Sequence, residues 1–83
     1  MNKVLINLYV PMLEKRFDVK IPLDKKLYKV VYLFIKAIYE ISDGYYVPED
    51  FPQLYEKWTA HKYDLNLTVR ENHINNGTEI ILI

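Results

Sequence analysis

Few residues in this chain could do chemistry. Ser42 is the one serine among 83 residues, and it stands beside Asp43 at the end of an apolar periodic stretch. That position reads as a helix-terminal polar residue, not as a nucleophile. His61 and His73 fall in loop-like sequence, and their spacing is not that of a zinc site. Cysteine is absent, which removes disulfides, thiol catalysis and zinc–thiolate ligation. Glu49 and Asp50 are adjacent, so in extended backbone they point apart and read as a solvated loop, not an acid/base pair. Glycine occurs only at positions 44 and 77, too few for a phosphate-cradling loop. The expectation is a protein with no catalytic residues, no metal and no cofactor, hence not an enzyme.

Charge narrows the partners. Eleven Lys and Arg balance eleven Asp and Glu, which gives no global attraction to nucleic acid or an anionic membrane. Lys15, Arg16 and Lys20 cluster, but Glu14 and Asp18 interrupt them, so they read as a solvated face. The most apolar segment, residues 27 to 41, contains Lys29, Lys36 and Glu40 and is too short and too charged to span a bilayer. The N-terminus reads as a strand, not a signal peptide, and a cysteine-free domain of this size fits a reducing cytosol. Two glycosylation sequons, at Asn66 and Asn76, are then chance, and Asn76-Gly77 is turn chemistry.

The elements that must position any site follow from periodicity. Val4, Ile6, Leu8 and Val10 alternate with Leu5, Asn7 and Tyr9, a period of two that predicts a strand. Pro11 begins a turn, and Phe17, Val19 and Ile21 alternate with polar residues in a second strand, completing a hairpin. From Leu27 the period becomes helical. Leu27, Val30, Val31, Phe34, Ile38 and Ile41 share one face, with Ile35 at its border, Asp24 as expected N-cap, Leu23 stapling onto Tyr28 and Gly44 as the stop. One amphipathic helix is expected over about residues 25–42. Gln53 to Thr59 reads as a third strand, with Trp58 in the core, covering a sheet edge or anchoring an interface. Lys62 to Leu67 reads as a short fourth strand, residues 68–76 as a loop, and Glu79 to Ile83 as the last strand.

One helix after an N-terminal hairpin covers one face of a sheet. The last strand then lies parallel to the first, with Ile80 and Leu82 facing the helix and Ile81 and Ile83 outward. This is an α+β, β-grasp arrangement: a mixed sheet of four to five strands packed on one amphipathic helix, with residues 1–83 forming a single domain.

With that order the chain resembles ubiquitin-like proteins. Val69, Ile74, Ile80 and Leu82 are separated by five, six and two residues, as are the corresponding apolar residues late in ubiquitin. A narrower resemblance is to the YukD/EsaB ubiquitin-like proteins of Gram-positive type VII (WXG-type) secretion systems. It rests on FDVKIP at Phe17–Pro22, running into a lysine-bearing helix, and on I-x-N-G-T-x-I-x-L at Ile74–Leu82. The segment YYVPEDFPQLYEKW departs from that family in length and aromatic content. The resemblance implies a cytoplasmic bacterial accessory of type VII secretion, free or held at the membrane through a protein partner. It would bind cytosolic domains of the membrane apparatus, with no nucleic-acid role. Ubiquitin-like modifiers and sulfur carriers activate a C-terminal glycine carboxylate. Ending on Ile83 without Gly-Gly, the chain is expected not to be conjugated unless it is truncated. A small nucleic-acid-binding α+β protein is the remaining alternative.

Three surfaces could receive a partner. Tyr28, Tyr32 and Tyr39 fall about 100° to 140° round the helix from Leu27, a stripe between core and water. Its rings either lap over the helix–sheet border or anchor an interface, since tyrosine brings large area with few rotors. Met12 and Leu13 are apolar in a turn; Leu13 either tucks against the sheet edge or joins recognition, as the leucine at ubiquitin's corresponding tip does. The open sheet face carries Leu5, Asn7, Tyr9, Ile81 and Ile83, of which Leu5, Ile81 and Ile83 form an expected apolar patch. That patch binds a partner, lies in part beneath residues 45–52, or meets a second copy.

Overall fold

The computed structural model describes residues 2–83. Strand β1 (Lys3–Val10) turns through a short 3₁₀ segment at Pro11–Leu13 into β2 (Lys15–Pro22). Helix α1 (Leu27–Ile41) follows, then the three-residue β3 (Leu54–Glu56) and the last strand β4 (Glu79–Leu82). The four strands form one sheet in the order β2-β1-β4-β3. β1 pairs antiparallel with β2 along its whole length and parallel with β4 from Asn7↔Glu79 to Tyr9↔Ile81. The final strand therefore lies inside the sheet beside the first, as its sequence requires.

Alternation sets the core. Val4, Ile6, Leu8 and Val10 from β1 and Ile80 and Leu82 from β4 are buried. They meet Leu27, Val30, Val31, Phe34 and Ile38 on one face of α1 in a single apolar cluster. Burying each such side chain contributes on the order of 1.5–3 kcal/mol. Burial stops at Ile38: Ile41 shares the azimuth yet is 62% exposed. Ile41 is the last residue of the helix.

Both ends of α1 are fixed by contacts that differ from those expected. Asp24 does not cap it. Lys26 holds the N-cap position without a side-chain bond, and the amides of Leu27 and Tyr28 donate to the carbonyls of Leu67 (2.9 Å) and Leu65 (3.0 Å). A backbone segment forty residues away thus satisfies the donors that a local cap would have taken. Asp24 instead pairs with Arg70 at 2.9 Å. At the other end, the Asp43 amide donates to Glu40 and the Gly44 amide to Tyr39, with φ of 57° and 84°, a Schellman closure.

The third strand is shorter than expected and the fourth is absent as a strand. The Glu56 carboxylate accepts the amides of Trp58 (3.0 Å) and Thr59 (2.8 Å) and turns the chain back. Tyr55↔Lys62 remains as an isolated bridge, with Tyr63 donating to the Leu54 carbonyl at 2.9 Å. Trp58 consequently lies in that turn, 72% exposed, and is not a core residue. Tyr46, Tyr63, Val69 and Ile74, from irregular segments, complete the core instead. Asn76-Gly77 does more than turn: the Asn76 Oδ1 accepts the Leu5 amide and the Gly77 amide donates to the Leu5 carbonyl, both at 2.8 Å. Together they continue the β1–β4 ladder beyond the strand.

Candidate partner surface

Of the chemically capable side chains, Ser42 serves structure. Ser42 Oγ donates to the Tyr39 carbonyl (3.2 Å) and accepts the Tyr46 amide (2.9 Å), so it ties the helix end to the next segment. His61 stands edge-on to Tyr63 with centroids 5.5 Å apart, and His73 holds a left-handed turn at φ 58°. Among the described residues no three His, Asp or Glu side chains gather as a metal site, and no helix is long and apolar enough to cross a membrane. No buried side-chain polar atom among them lacks a hydrogen-bond partner.

The pKa shifts trace turns and burial. Hydrogen bonds from Thr59 hold the Glu56 carboxyl below its ordinary value. The Trp58 indole N–H, 2.9 Å from Glu79, does the same for Glu79, with Lys57 assisting at 3.3 Å. Burial pushes the Tyr63 phenol up to about 12, helped by the nearby negative charge of Glu56, and raises Tyr46 as well.

The open sheet face is divided by its register. Arg16, Tyr9, Ile81 and Tyr55 stand in one row across the four strands, with the Arg16 guanidinium 4.8 Å above the Tyr9 ring. Asp18, Asn7 and Glu79 form the next row, a polar one, and Leu5 opposite Lys20 forms the third. Leu5 is 44% exposed, but lies four residues along β1 from Tyr9. That is about 14 Å at strand rise, with a polar row between. Leu5 and Ile81 therefore do not share one apolar patch. Tyr9 and Ile81 do adjoin, both half-buried.

The other candidates gather around residues 45–53, a strap without regular structure that crosses one end of the fold. Tyr46 anchors it in the core, and a two-way backbone pairing of Gln53 with Ile83 (2.7 and 3.0 Å) fixes its far end. On the helix side, Phe51 meets Tyr32 edge-on at 5.1 Å, and a groove of ≈ 490 Å³ runs between Ile35 and Tyr39 of α1 and Val47, Pro48 and Phe51 of the strap. On the hairpin side a second depression is lined by Met12, Phe51, Leu82 and Ile83. Met12 is exposed there while Leu13 packs partly on the core, so the two tip residues separate. Tyr28 lies beyond Phe51, in a polar depression with Asp64 and Asn66. No period or motif predicts that the strap unites Met12, Tyr32, Tyr39 and Ile83. Its aromatic content, with tyrosines at 45 and 46 and Phe51 between two prolines, was the available signal.

No protein-family model matches the chain, and no curated protein matches it in sequence. Solved structures do. The ubiquitin-like domain of the Mycobacterium tuberculosis type VII secretion protein EccD1 has a TM-score of 0.73 at 10% identity, over 100% of this chain and 99% of that one. A chain of a toluene 4-monooxygenase complex with the inhibitor 4-bromobenzoate has a TM-score of 0.76 at 12% identity, over 98% and 96%. The ubiquitin-like domain of an Arabidopsis thaliana protein has a TM-score of 0.68 at 18% identity, over 100% and 78%. The fold is ubiquitin-like. Identities this low carry the fold alone.

Proposed function

We propose that residues 1–83 act as one non-catalytic, ubiquitin-like interaction module serving a bacterial type VII secretion apparatus from the cytosol. The observation that carries the interaction reading is the strap end. There Val47 (61% exposed), Ile83 (66%) and Met12 (49%) surround apolar depressions. Contiguous exposed apolar surface of this kind marks binding sites on small domains. The end-to-end likeness to the EccD1 ubiquitin-like domain supports the secretion context, as do the FDVKIP and I-x-N-G-T-x-I-x-L segments. The partners in this reading are cytosolic domains of the membrane apparatus.

The likeness to the oxygenase-complex chain favours a second reading, a small subunit of an enzyme complex. Affinity capture of the tagged protein from its host separates the two. Secretion components are expected, and oxygenase subunits would establish the second reading. Two folded double variants, Leu5→Asp with Ile81→Asp and Val47→Asp with Phe51→Ala, locate the surface. Absence of any secretion component with the native chain refutes the first reading.

A further inference from the structure

Charge along the chain is not evenly spread. From residue 37 to residue 56 the sequence carries Glu40, Asp43, Glu49, Asp50 and Glu56 and no Lys or Arg. Four of these lie in or beside the strap groove. Glu49 and Asp50 line it, and Glu40 and Asp43 line a shallow depression that shares Tyr39 with it. All four are exposed, and none of these four side chains accepts a hydrogen bond from the described residues. Among the described residues Lys36 is the only cation lining the groove. The floor between these carboxylates is apolar: Ile35, Tyr39, Val47 and Phe51. The strap also keeps free backbone donors. Among the described residues the amides of Val47, Glu49, Asp50 and Phe51 donate to no carbonyl or side-chain acceptor.

We infer that this groove receives a basic amphipathic segment of a protein partner, with apolar side chains seated against Val47 and Phe51 and Lys or Arg over the carboxylates. The inference rests on the interaction reading above and names the chemistry of the partner. Electrostatic complementarity selects the sign: a cationic segment is steered to this end, while an acidic peptide, a nucleic acid or an anionic lipid surface is repelled from it. The apolar floor supplies the affinity, since exposed carboxylates alone contribute little. Neutral total charge conceals the site, because the compensating Lys and Arg lie mostly before residue 30.

The test is to pan a random 12-residue peptide display library against the protein and against a Glu49→Lys, Asp50→Lys variant. Neither side chain has a hydrogen-bonding role in the fold, so the variant is expected to fold normally, which circular dichroism verifies. Enriched peptides should pair Lys or Arg with aliphatic or aromatic residues. Binding should weaken at least ~tenfold in the variant and fall with added salt. Amide shifts on titrating an enriched peptide should centre on Ile35, Val47 and Phe51. Acidic or uncharged enriched peptides, unchanged binding to the variant, shifts centred on Tyr9 and Ile81, or no enrichment at all would each overturn the inference. If the variant also captures secretion components as well as the native chain does, the groove is wrong and the interaction reading stands. If the native chain captures none, that reading itself falls.

Discussion

Two halves of the molecule reach the same burial by different means. In β1, β2, α1 and β4 nearly every core position follows a period of 2 or 3.6, and neighbouring residues along the chain support one another. Between Asp43 and Thr78 only the three residues of β3 are regular, yet Tyr46, Leu54, Tyr63, Val69 and Ile74 are as buried as anything in the helix. Here backbone pairings tie the segments to other parts of the chain, Tyr63 to Leu54, Gln53 to Ile83 and the 65–70 segment to the start of α1, while the Ser42 hydroxyl holds the Tyr46 amide. A periodic half distributes its stability. An aperiodic half concentrates it in a few side chains.

That contrast can be broken by truncating one anchor on each side. Ile80→Ala in β4 and Ile74→Ala in the irregular half remove the same side chain from sites each 1% exposed. Both should cost about 2–5 kcal/mol in denaturant unfolding, since cavity cost depends on local collapse and not on secondary structure. A value below about 1 kcal/mol for Ile74→Ala would show that the irregular half is not part of the core.

Next in size, Tyr46→Ala should cost roughly 2–4 kcal/mol. Hydrogen exchange should show the loss as local opening of residues 45–53, with β1 and β4 still protected. Uniform loss of protection would contradict the division into two halves. Ser42→Ala should cost about 1 kcal/mol by leaving the Tyr46 amide without its acceptor, with the same local signature.

The smallest effects are in pH. Tyr63 keeps its phenol neutral up to about 12, so its contribution is complete below the ordinary value of 10.0 and is lost as pH rises from 10.0 towards 12. Alkaline unfolding should therefore accompany tyrosinate absorbance, and Tyr63→Phe should move that midpoint upward. At the acid end Glu79, Glu56 and Glu71 are held low by Trp58, Thr59 and Thr68. Their stabilisation is present above about 4.5 and declines as pH falls below it. Trp58→Phe should weaken that acid dependence, measured by tryptophan-independent circular dichroism.

Sequence alone determined the periodic half. Alternation in Val4–Val10 and Phe17–Ile21, the helical spacing from Leu27 to Ile38, and Ile80 and Leu82 in the last strand specify which faces are buried. Once those faces are known, few topologies bury them all. Tertiary structure decided the rest. Asp24 lost the helix cap because the Leu65 and Leu67 carbonyls reached the same amides. Trp58 left the core because Glu56 bent the strand around its own carboxylate. Tyr46 entered it because Ser42 holds its amide. The partner surface belongs to this second class. Met12, Tyr39, Val47, Phe51 and Ile83 come from four separate stretches of chain, and only the strap's anchoring by Tyr46 and Gln53 sets them side by side. Period is a property of neighbours along the chain, whereas such a surface is made by distant pairings for which a single sequence carries no local signal.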